Sequence, residues 1–489
     1  MPGPDRTAPL DAPILNETLL EAMLQEHRER RLPSLRKRWR YYRNRSQTAG
    51  SAGSALDQET GLPARLGRGP DGRPLREIVI ENDIAWRIHT MVDFMFGRPV
   101  EVRSLVGDPM LARQINDLLA AVFRASGGVG FFQDLALLGS VYGSIDILLR
   151  SDPDPQDPAG GYLLELIEAP RAVPLVHPGD YRQLDAYTVW SQQTAHDTTN
   201  TRWIDRLLKT RTTPQRSKSE QIEIWSPDGY EHRVLPAGAS SGKRFGKSRH
   251  ERRLNPLGRV PVIHIQNLPQ PFQYLGLSDV EPLIPLQDEL NTRLSDRANR
   301  VTLSSFKMYL AKGIEGFVER PVGPGQMWAT DNPDADITSF GGDAEMPSEE
   351  AHILEVREAM DKTSGVSPVA AGVVRGKVGN LSSENAIRIV LLGLLARTEK
   401  KRITYGAGLE RCCELILHAA DVHGLVRTRP DQRRVRIDWP DPYPESREQQ
   451  IENAERLIRL GVPREQVLTE LGYADCIPKP DEPKNEEAA

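Results

Sequence analysis

A long helical pattern over residues 383–423 constrains the fold more than any other feature of this sequence. Ser382 can cap its first turn. A helix that is apolar on all sides must be enclosed by other protein surface. The chain therefore needs either a large core or contacts between several copies. The first part of the pattern is apolar almost all round, through Ile387, Ile389, Val390, Leu391, Leu392, Leu394 and Leu395.

A second long helix is predicted over residues 278–303, and its character is the opposite. Ser278 or Asp279 can cap it, and Pro282 fits the first turn, where a missing N–H costs little. One stripe of the pattern is apolar, whereas aspartate, asparagine and serine occupy the other faces. We expect the polar half to line an interface or a cavity, because it is too polar to be buried within its own chain.

Between these two helices the sequence changes character. Residues 306–340 predict a small β-rich excursion, and Ser348 can cap a further helix that ends near residue 362. Residues 364–380 are rich in glycine and predict a mobile loop. The predicted order is therefore helix, β excursion, helix, glycine-rich loop and long helix.

The N-terminal part predicts helices and hairpins. Residues 17–45 predict a helix whose second half is very basic, which is typical either of a solvated face or of a patch that contacts nucleic acid or an acidic partner. Runs of helix and then strand indicate an α+β domain. The basic residues are Arg36, Lys37, Arg38, Arg40, Arg43 and Arg45. Further predicted helices cover 82–96, 131–142, 445–460 and 464–471, and predicted strands cover 100–104, 144–149, 162–167, 186–191, 221–225, 232–235, 260–265 and 435–439.

Charge and cysteine content narrow the functional class. The net charge is −5, so the protein is not a polycation that binds nucleic acid through overall charge. Cys412, Cys413 and Cys476 fit neither a disulfide framework nor a zinc site, which indicates buried thiols in a reducing compartment. No signal-peptide pattern or membrane-spanning run is present in the sequence. We expect a protein that is soluble and cytosolic when it is made, with no membrane partner.

Motifs for catalysis and cofactor binding are incomplete. The basic stretch 241–248 lacks the first glycine of a phosphate-binding loop and follows no apolar strand, so residues 243–253 predict an exposed loop. Aspartates at residues 152–157 alternate with prolines that prevent a calcium-binding wrap. His418 and His423 do not share a helix face. The sequence therefore predicts no enzyme, no catalytic residue, no cofactor and no metal site.

Five short motifs occur in an order that resembles the portal (head–tail connector) family of tailed bacteriophages, over residues 76–473. Each motif alone is weak. Together with a β excursion between two helices and a glycine-rich loop before a long helix, they form a specific signal. The motifs are Phe96-Gly97-Arg98-Pro99; Asn255 to Pro261 with Asn267; Gly276-Leu277-Ser278-Asp279; Gly379-Asn380-Leu381-Ser382-Ser383; and Trp439-Pro440-Asp441-Pro442 with Leu460-Gly461-Val462-Pro463.

The resemblance implies an α+β portal fold, with an α/β wing, a two-helix stem, a small β-rich clip, a long kinked helix and an α-helical crown. It also implies assembly as a homo-oligomeric ring, usually of twelve subunits. On this sequence the implied regions are a disordered N-terminus 1–19, wing 20–277, first stem helix 278–303, clip 304–347, second stem helix 348–363, tunnel loop 364–381, long wing helix 382–399 and crown 400–489.

The implied function is a non-enzymatic channel at one capsid vertex of the virion, through which double-stranded DNA is packaged and ejected. Assembly would take place in the host cytoplasm. The implied partners are DNA, the terminase large subunit, head-completion or adaptor proteins, and the major capsid and scaffolding proteins. The tunnel loop would place Ser364, Gly365, Arg375, Gly376, Lys377, Gly379 and Asn380 at the channel, and clip docking would use Gly323, Pro324, Gly325, Met327 and Trp328.

Two alternatives remain. One is another phage structural protein, such as a minor head protein or a neck adaptor, although the order of stem, clip and stem argues against it. The other is a DNA-processing enzyme, which would need acidic metal ligands and a motor motif. The sequence contains neither pattern.

Overall fold

The computed structural model divides the chain into two compact units, of which the first ends at Asp438 and the second begins at Trp439. Helices and strands are mixed in the first unit, which confirms the α+β prediction. Among the described helices, none combines the length and the apolar character needed to cross a bilayer. The described residues are 13–43, 79–195, 217–236, 249–305, 308–312, 332–340, 347–371, 384–440, 447–464 and 467–468.

The first unit begins with a long helical rod. Helices α1 (Glu17–Glu26) and α2 (Leu32–Arg43) are joined without a break by a π-helical turn at His27–Arg31. Pro33 explains the wider turn, because it has no N–H to donate and its ring would press on the carbonyl four residues earlier. The predicted helix over residues 17–45 is confirmed in its described part.

The prediction of a disordered N-terminus over residues 1–19 is wrong for the last part of that segment. Leu15 is buried in one hydrophobic cluster with Trp190. Asn16 caps α1, since its Oδ1 accepts the N–H of Thr18 at 3.0 Å. Leu15, the apolar residue just before the cap, therefore anchors the start of α1 in the hydrophobic core. Residues 1–12 lie outside the described residues.

Three helices and a short strand follow. The predictions over 82–96 and 131–142 are confirmed, whereas the helix between them was not predicted. Its start has ordinary signals, because the Asp108 side chain accepts the N–H of Met110 and a proline occupies the first turn. The elements are α3 (Asp83–Phe96), β1 (Glu101–Ser104), α4 (Pro109–Ala125) and α5 (Val129–Tyr142).

Most strands of the first unit lie in two antiparallel sheets. They are β2 (Ser144–Ser151), β3 (Tyr162–Glu168), β4 (Ala172–His177), β5 (Asp180–Ala195), β6 (Ser217–Trp225), β7 (Gly229–Pro236), β8 (Arg249–Leu254) and β9 (Val262–Gln266). One sheet has the order β3-β2-β9 and the other has the order β4-β5-β6-β7-β8. The predicted strands that correspond to β2, β3, β5, β6, β7 and β9 are confirmed, and β4 was missed.

Strand β8 corrects the prediction of an exposed loop over residues 243–253. Its residues 249–254 pair with β7, with Glu231 opposite Arg252. The Arg252 Nε lies 3.0 Å from Oε1 of the buried Glu231, which also binds Arg233 at 2.7 Å. A run of basic residues predicts an exposed loop when no acid lies near it in the sequence. Here the acid that pairs with Arg252 lies on the neighbouring strand. Residues 243–248 lie outside the described residues.

The predicted stem follows β9. After a 3-10 turn at Glu281–Leu283, α6 (Ile284–Ser305) begins, and the Oγ of Ser278 accepts the N–H of Val280 at 3.1 Å, as expected of a cap. Helix α6 lies beside the next helix, α7 (Pro347–Ser364), and an ion pair between Arg297 and Glu350 at 3.0 Å joins the two. The antiparallel pair β10 (Met308–Lys312) and β11 (Asp336–Phe340) lies between α6 and α7 (Pro347–Ser364) in the chain.

One polar row of α6 is buried within its own chain, so the prediction that the polar half lines an interface or a cavity is wrong for this row. Gln287, Asn291 and Ser295 are at most 1% exposed. Asn291 Oδ1 accepts the N–H of Glu81 at 3.2 Å, and Gln287 donates to the Glu81 carbonyl at 2.6 Å. Ser295 Oγ accepts the N–H of Val79 at 2.9 Å. These side chains supply the partners that a segment without regular structure needs for its backbone.

The predicted boundary at residue 400 between a wing helix and a crown has no counterpart. Helix α8 (Glu384–Val422) continues through it, and Tyr405, Leu409 and Cys412 of the continuation are buried. Strand β12 (Val435–Asp438) then pairs with β1. The first unit therefore extends to residue 438, because the second half of α8 packs on its sheets and helices.

The second unit contains α9 (Arg447–Arg459), which confirms the helix predicted over residues 445–460. Ala454 is buried, and an exposed ion pair joins Arg456 to Glu452 one turn away at 2.6 Å. Gly461 follows with a φ of 95°, a backbone conformation that commonly ends a helix.

Candidate functional site at the root of the glycine-rich loop

Ser364 and Gly365 are the residues of the predicted channel and docking sites that the structure describes. Ser364 ends α7 and is buried, and Gly365 follows it at the point where the glycine-rich loop begins. The other predicted site residues lie outside the described residues: Arg375, Gly376, Lys377, Gly379 and Asn380 of the loop, and Gly323, Pro324, Gly325, Met327 and Trp328 of the clip.

The first end of the loop is packed backbone to backbone against α8. Gly365 has a φ of 71°, which favours glycine, and a Cβ at this position would lie 3.3 Å from the carbonyl oxygen of Gly393. A Cβ on Gly393 would in turn lie 3.2 Å from the Gly365 carbonyl oxygen. The two glycines therefore permit a helix-to-loop contact that larger residues would obstruct.

Arg397 links the same point to the segment that precedes α6. Its Nη1 donates to the carbonyl of Thr363 at 2.8 Å. Its Nη2 and Nε donate to Asp279 Oδ1 at 2.7 and 3.2 Å. One guanidinium of α8 thus joins the end of α7 to Asp279, the residue beside the capping Ser278.

Asp279 is the centre of a buried polar cluster. Its side chain is fully buried, and its Oδ2 accepts from Lys401 Nζ at 2.5 Å and from Asn267 Nδ2 at 2.8 Å. Burial would raise the pKa of Asp279, but the charges of Lys401 and Arg397 hold it below its ordinary value. Burial lowers the pKa of Lys401, and its contact with Asp279 opposes that shift. The carboxylate is therefore ionised and is shared by two cations.

Two further side chains complete this cluster. Ser140 of α5 accepts from Lys401 Nζ at 2.9 Å, and Tyr405 donates to Asn267 Oδ1 at 3.1 Å. A Cβ on Gly139 would lie 2.0 Å from the Tyr405 hydroxyl, so this glycine permits the close approach of α5 to α8. We call Ser140, Asn267, Asp279, Arg397, Lys401 and Tyr405 the Asp279 cluster.

A second buried arginine ties helix α3 to helix α7. Arg87 is fully buried and lies 3.1 Å from Asp83 Oδ2. Its other terminal nitrogen pairs with Asp361 of α7. Nearby, Arg357 of α7 pairs with Glu81. The end of α7 that precedes the loop is thus fixed both to α3 and to the segment just before α3.

The sequence-based prediction included Asn267 and Asp279 only as parts of motifs. It gave no role to Arg397 and Lys401. Two basic residues four positions apart in an apolar helix were the available signal, because such a pair requires a buried acid or an exposed face. The sequence could not indicate that the acid lies more than a hundred residues earlier. The cluster is held together by tertiary contacts alone.

Three large apolar side chains are exposed on one face of α8, which also carries the exposed Glu399 and Lys400. Ile389, Leu392 and Ile403 are 68%, 59% and 73% exposed, and Ala396 lies between them at helical spacing. The opposite face carries buried residues such as Leu394. The prediction that this helix requires neighbours agrees with an apolar face that the described residues of its own chain do not cover.

The described residues contain no group of histidine, cysteine and acidic side chains arranged to hold a metal ion. His418 bonds the Leu257 carbonyl at 3.0 Å, and His423 bonds the Tyr162 hydroxyl at 2.8 Å. Cys412 and Cys413 are buried in α8, where burial raises the pKa of the Cys412 thiol to about 12. In the described part of the chain, these histidines form hydrogen bonds within the fold and these cysteines are packed in its interior.

Comparison with known proteins identifies one family model, and several solved structures are also similar to the chain. Residues 22–473 match the family model described as "Phage portal protein, SPP1 Gp6-like". No curated protein matches the sequence. The chain is similar to a chain of "Virion of native gene transfer agent (GTA) particle" (12% identity, TM-score 0.44, 79% of this chain and 89% of that chain). It is also similar to a chain of "Neck of empty GTA particle computed with C6 symmetry" (13% identity, TM-score 0.45, 80% and 90%).

Proposed function

Because the chain belongs to the SPP1 Gp6-like family of phage portal proteins, we propose that it forms a closed ring at one capsid vertex, through which double-stranded DNA is packaged and ejected. The family match carries this proposal, since it spans residues 22–473 and includes parts of both compact units. A ring of twelve subunits is the proposed assembly. Closed rings arise when one surface of a subunit contacts a different surface of the next with a rotation that closes.

The exposed face of α8 supports a contact between subunits. Isolated apolar side chains are common on protein surfaces, but Ile389, Leu392 and Ile403 recur at helical spacing on one helix. We propose that this face is covered by the next subunit. One polar row of α6 is occupied by its own chain, so the contact proposed here is placed on α8.

The Asp279 cluster supports a fixed mounting for the loop. Arg397 holds the carbonyl of Thr363, and Gly365 packs on Gly393, so the first end of the loop is attached to α8. We propose that movement in the channel is confined to residues beyond this root, while the stem and wing stay rigid. Arg375 and Lys377 are the proposed phosphate contacts of the loop.

The proposed channel supplies no chemistry. The acidic net charge suits DNA that must slide, because each neutralised phosphate adds salt-dependent affinity. ATP hydrolysis would belong to a separate terminase motor that docks on the clip, where neck proteins would later bind. Pure rings without ATPase or nuclease turnover are the expected result, and turnover that follows the rings through purification would contradict it.

The assembly is tested by paired substitutions on α8. We expect wild-type protein to form rings with a central hole in negative-stain micrographs and to scatter light as an oligomer at micromolar concentration. Ile389→Asp with Leu392→Asp should give monomers, because carboxylates would have to be buried in the contact. Met110→Asp with Leu105→Asp is the matched control, since both side chains are exposed apolar groups of another region.

A wild-type protein that stays monomeric would contradict the ring. Rings of the α8 variant that match the wild type in size and stability would leave the ring proposal standing but would move the contact elsewhere. Coinciding far-UV circular dichroism spectra for variant and control, measured on the same samples, exclude misfolding as the cause of dissociation; the Tm of the variant is itself expected to be lower, because assembly stabilises the folded subunit.

A further inference from the structure

The segment between β9 and the 3-10 turn is a closed loop. The N–H of Leu277 donates to the carbonyl of Leu268 at 2.9 Å, and Asn267 Nδ2 donates to the Leu277 carbonyl at 3.0 Å. The two ends therefore lie side by side, which is typical of a compact surface loop. A Cβ on Gly276 would lie 2.5 Å from the carbonyl oxygen of Gly143, so the returning segment packs directly against the end of α5. We call residues 267–277 the Phe272 loop.

The second half of this loop is attached to β9. Gln266 Nε2 donates to the carbonyls of Gln273 and Tyr274 at 2.7 and 3.0 Å. His264 Nε2 donates to the same Tyr274 carbonyl at 2.6 Å, and the His264 and Tyr274 rings stack with their centres 3.7 Å apart. The residues that follow Phe272 are thus fixed at several points, and the loop holds Phe272 in a defined position.

Phe272 combines an unfavourable backbone conformation with an exposed side chain. Its φ is 60°, and among the described residues no other non-glycine residue has a positive φ. This left-handed region is disfavoured for residues that have a Cβ. The side chain is 87% exposed, so burial within the subunit does not offset the strain. Strain of this kind persists only where the surrounding structure imposes it, and it is concentrated at functional sites.

The Phe272 loop lies beside the face of α8 that carries the exposed apolar residues. A groove of about 560 Å³ lies between the loop and the helix. Its walls include Pro271 and Gln273, the two neighbours of Phe272, and Ile403 and Ala407 of α8. Ile403 belongs to the face of α8 that we propose is covered by the next subunit. The loop therefore continues that face.

We propose that the Phe272 loop is a second part of the contact between neighbouring subunits, in which the Phe272 ring is buried against the next copy of this chain. This contact presupposes the proposed ring and adds an anchoring residue to it. A second copy is the occupant because the loop is continuous with Ile403. An aromatic ring on a rigid support loses little conformational freedom on burial, and aromatic residues are enriched at subunit contacts.

The first test removes the ring of Phe272 and measures assembly by sedimentation velocity over a dilution series of the full-length protein. Phe272→Ala should weaken each subunit contact about 10- to 100-fold, because the phenyl ring is no longer removed from water. Met110→Ala is the matched control, since Met110 is 79% exposed and lies on α4. The control should dissociate at the same concentration as the wild type.

Phe272→Gly separates the subunit contact from the fold. Glycine adopts a φ of 60° without strain, so the Tm of subunits dissociated by dilution should not fall below that of the wild type. The rings should nevertheless dissociate as readily as those of Phe272→Ala. A lower Tm of the dissociated Phe272→Gly subunits would show that the phenyl ring serves its own subunit, and would overturn the inference.

The second test identifies what lies against position 272 while leaving an aromatic side chain there. Phe272→p-benzoylphenylalanine should, on irradiation of assembled rings, link subunits covalently and give dimers and higher multimers on denaturing gels. Met110→p-benzoylphenylalanine is the control and should give subunits that stay separate. Circular dichroism of both proteins before irradiation checks that they are folded alike.

Three results would overturn the inference while leaving the ring standing. One is association of Phe272→Ala that equals that of the wild type. Another is equal weakening by Phe272→Ala and Met110→Ala. The third is the absence of cross-links from position 272 in intact rings. Wild-type protein that stays monomeric at every concentration would instead contradict the ring itself, so the two failures are distinguishable.

Discussion

Replacing Asp279 by asparagine removes one charge from the centre of the Asp279 cluster while keeping the shape of the side chain. Lys401, whose side chain is 1% exposed, and Arg397 would then share a site without an anion. A buried cation that has lost its partner destabilises the folded state, because its hydration is not restored. We expect the variant to fold but with a lower free energy of unfolding.

The size of the effect follows from burial. Removing one partner of a buried ion pair costs about 3–5 kcal/mol. The unfolding entropy is about 2.1 cal/mol/K per residue, which gives about 0.9 kcal/mol/K for a unit that spans Met1–Asp438. The Tm of the first unit should therefore fall by about 3–5 °C.

The assay is differential scanning calorimetry at a fixed protein concentration, with two further variants. Asp117→Asn is the control, because Asp117 is exposed and lies 4.0 Å from an exposed Arg113. A pair of this kind contributes about 0.2–1 kcal/mol, so its Tm should change by about 1 °C or less. Asp279→Asn combined with Lys401→Met should recover part of the loss, because the more deeply buried of the two unpaired cations is removed, while Arg397, which is 20% exposed, remains.

The pH dependence of the Tm tests the direction of the Asp279 pKa shift. The folded pKa of Asp279 lies below its ordinary value of 3.8, so its contribution is complete above that value and disappears as the pH falls through the folded pKa. The loss in Asp279→Asn should therefore be the same at pH 7 and pH 5. A change in Tm no larger than that of the control, or no recovery in the double variant, would refute the reasoning.

Three other expectations can be measured by the same calorimetry. Gly365→Ala should lower the Tm, because a side chain at a φ of 71° destabilises the folded state by about 1–2 kcal/mol. Gly107→Ala is the control and should leave the Tm unchanged, because Gly107 has open space around it. Equal Tm values for the two variants would contradict this expectation. Asn291→Ala should cost about 1–3 kcal/mol, since the N–H of Glu81 would lose its acceptor, and an unchanged Tm would show that water replaces it. Burial lowers the pKa of His27 to about 4, so between pH 7 and pH 5 the unfolded chain takes up a proton that the folded chain does not, and the stability of the wild type should fall. His27→Gln should show a smaller fall in stability over this range. Equal falls for variant and wild type would argue against a buried neutral imidazole.

Local patterns predicted the main elements of the stem and the long helix. The cap at Ser278 and the periodicity of α8 depend on neighbouring residues alone, so the sequence could indicate both. The family resemblance rested on short motifs in a fixed order, and the match over residues 22–473 confirms it. The tunnel-loop and clip residues stay predictions, except that Ser364 and Gly365 lie at the root of the loop.

Errors arose where distant residues decide the outcome. The charges of β8 indicated a loop because Glu231 was not visible as the partner of Arg252. The boundary at residue 400 divided a helix whose second half is buried by strands and helices from much earlier in the chain. In both cases the local composition was described correctly, but the tertiary contacts of these residues were not predicted.

The sequence by itself determined where helices begin, which helix needs neighbours and which family the chain resembles, because these depend on residues close together in the chain. The tertiary structure alone decided what the polar groups do. The polar face of α6 serves the backbone near Glu81, and Asp279 joins Arg397 and Lys401 at the root of the loop. A buried polar side chain must find a partner, and only the folded chain selects which distant group that partner is.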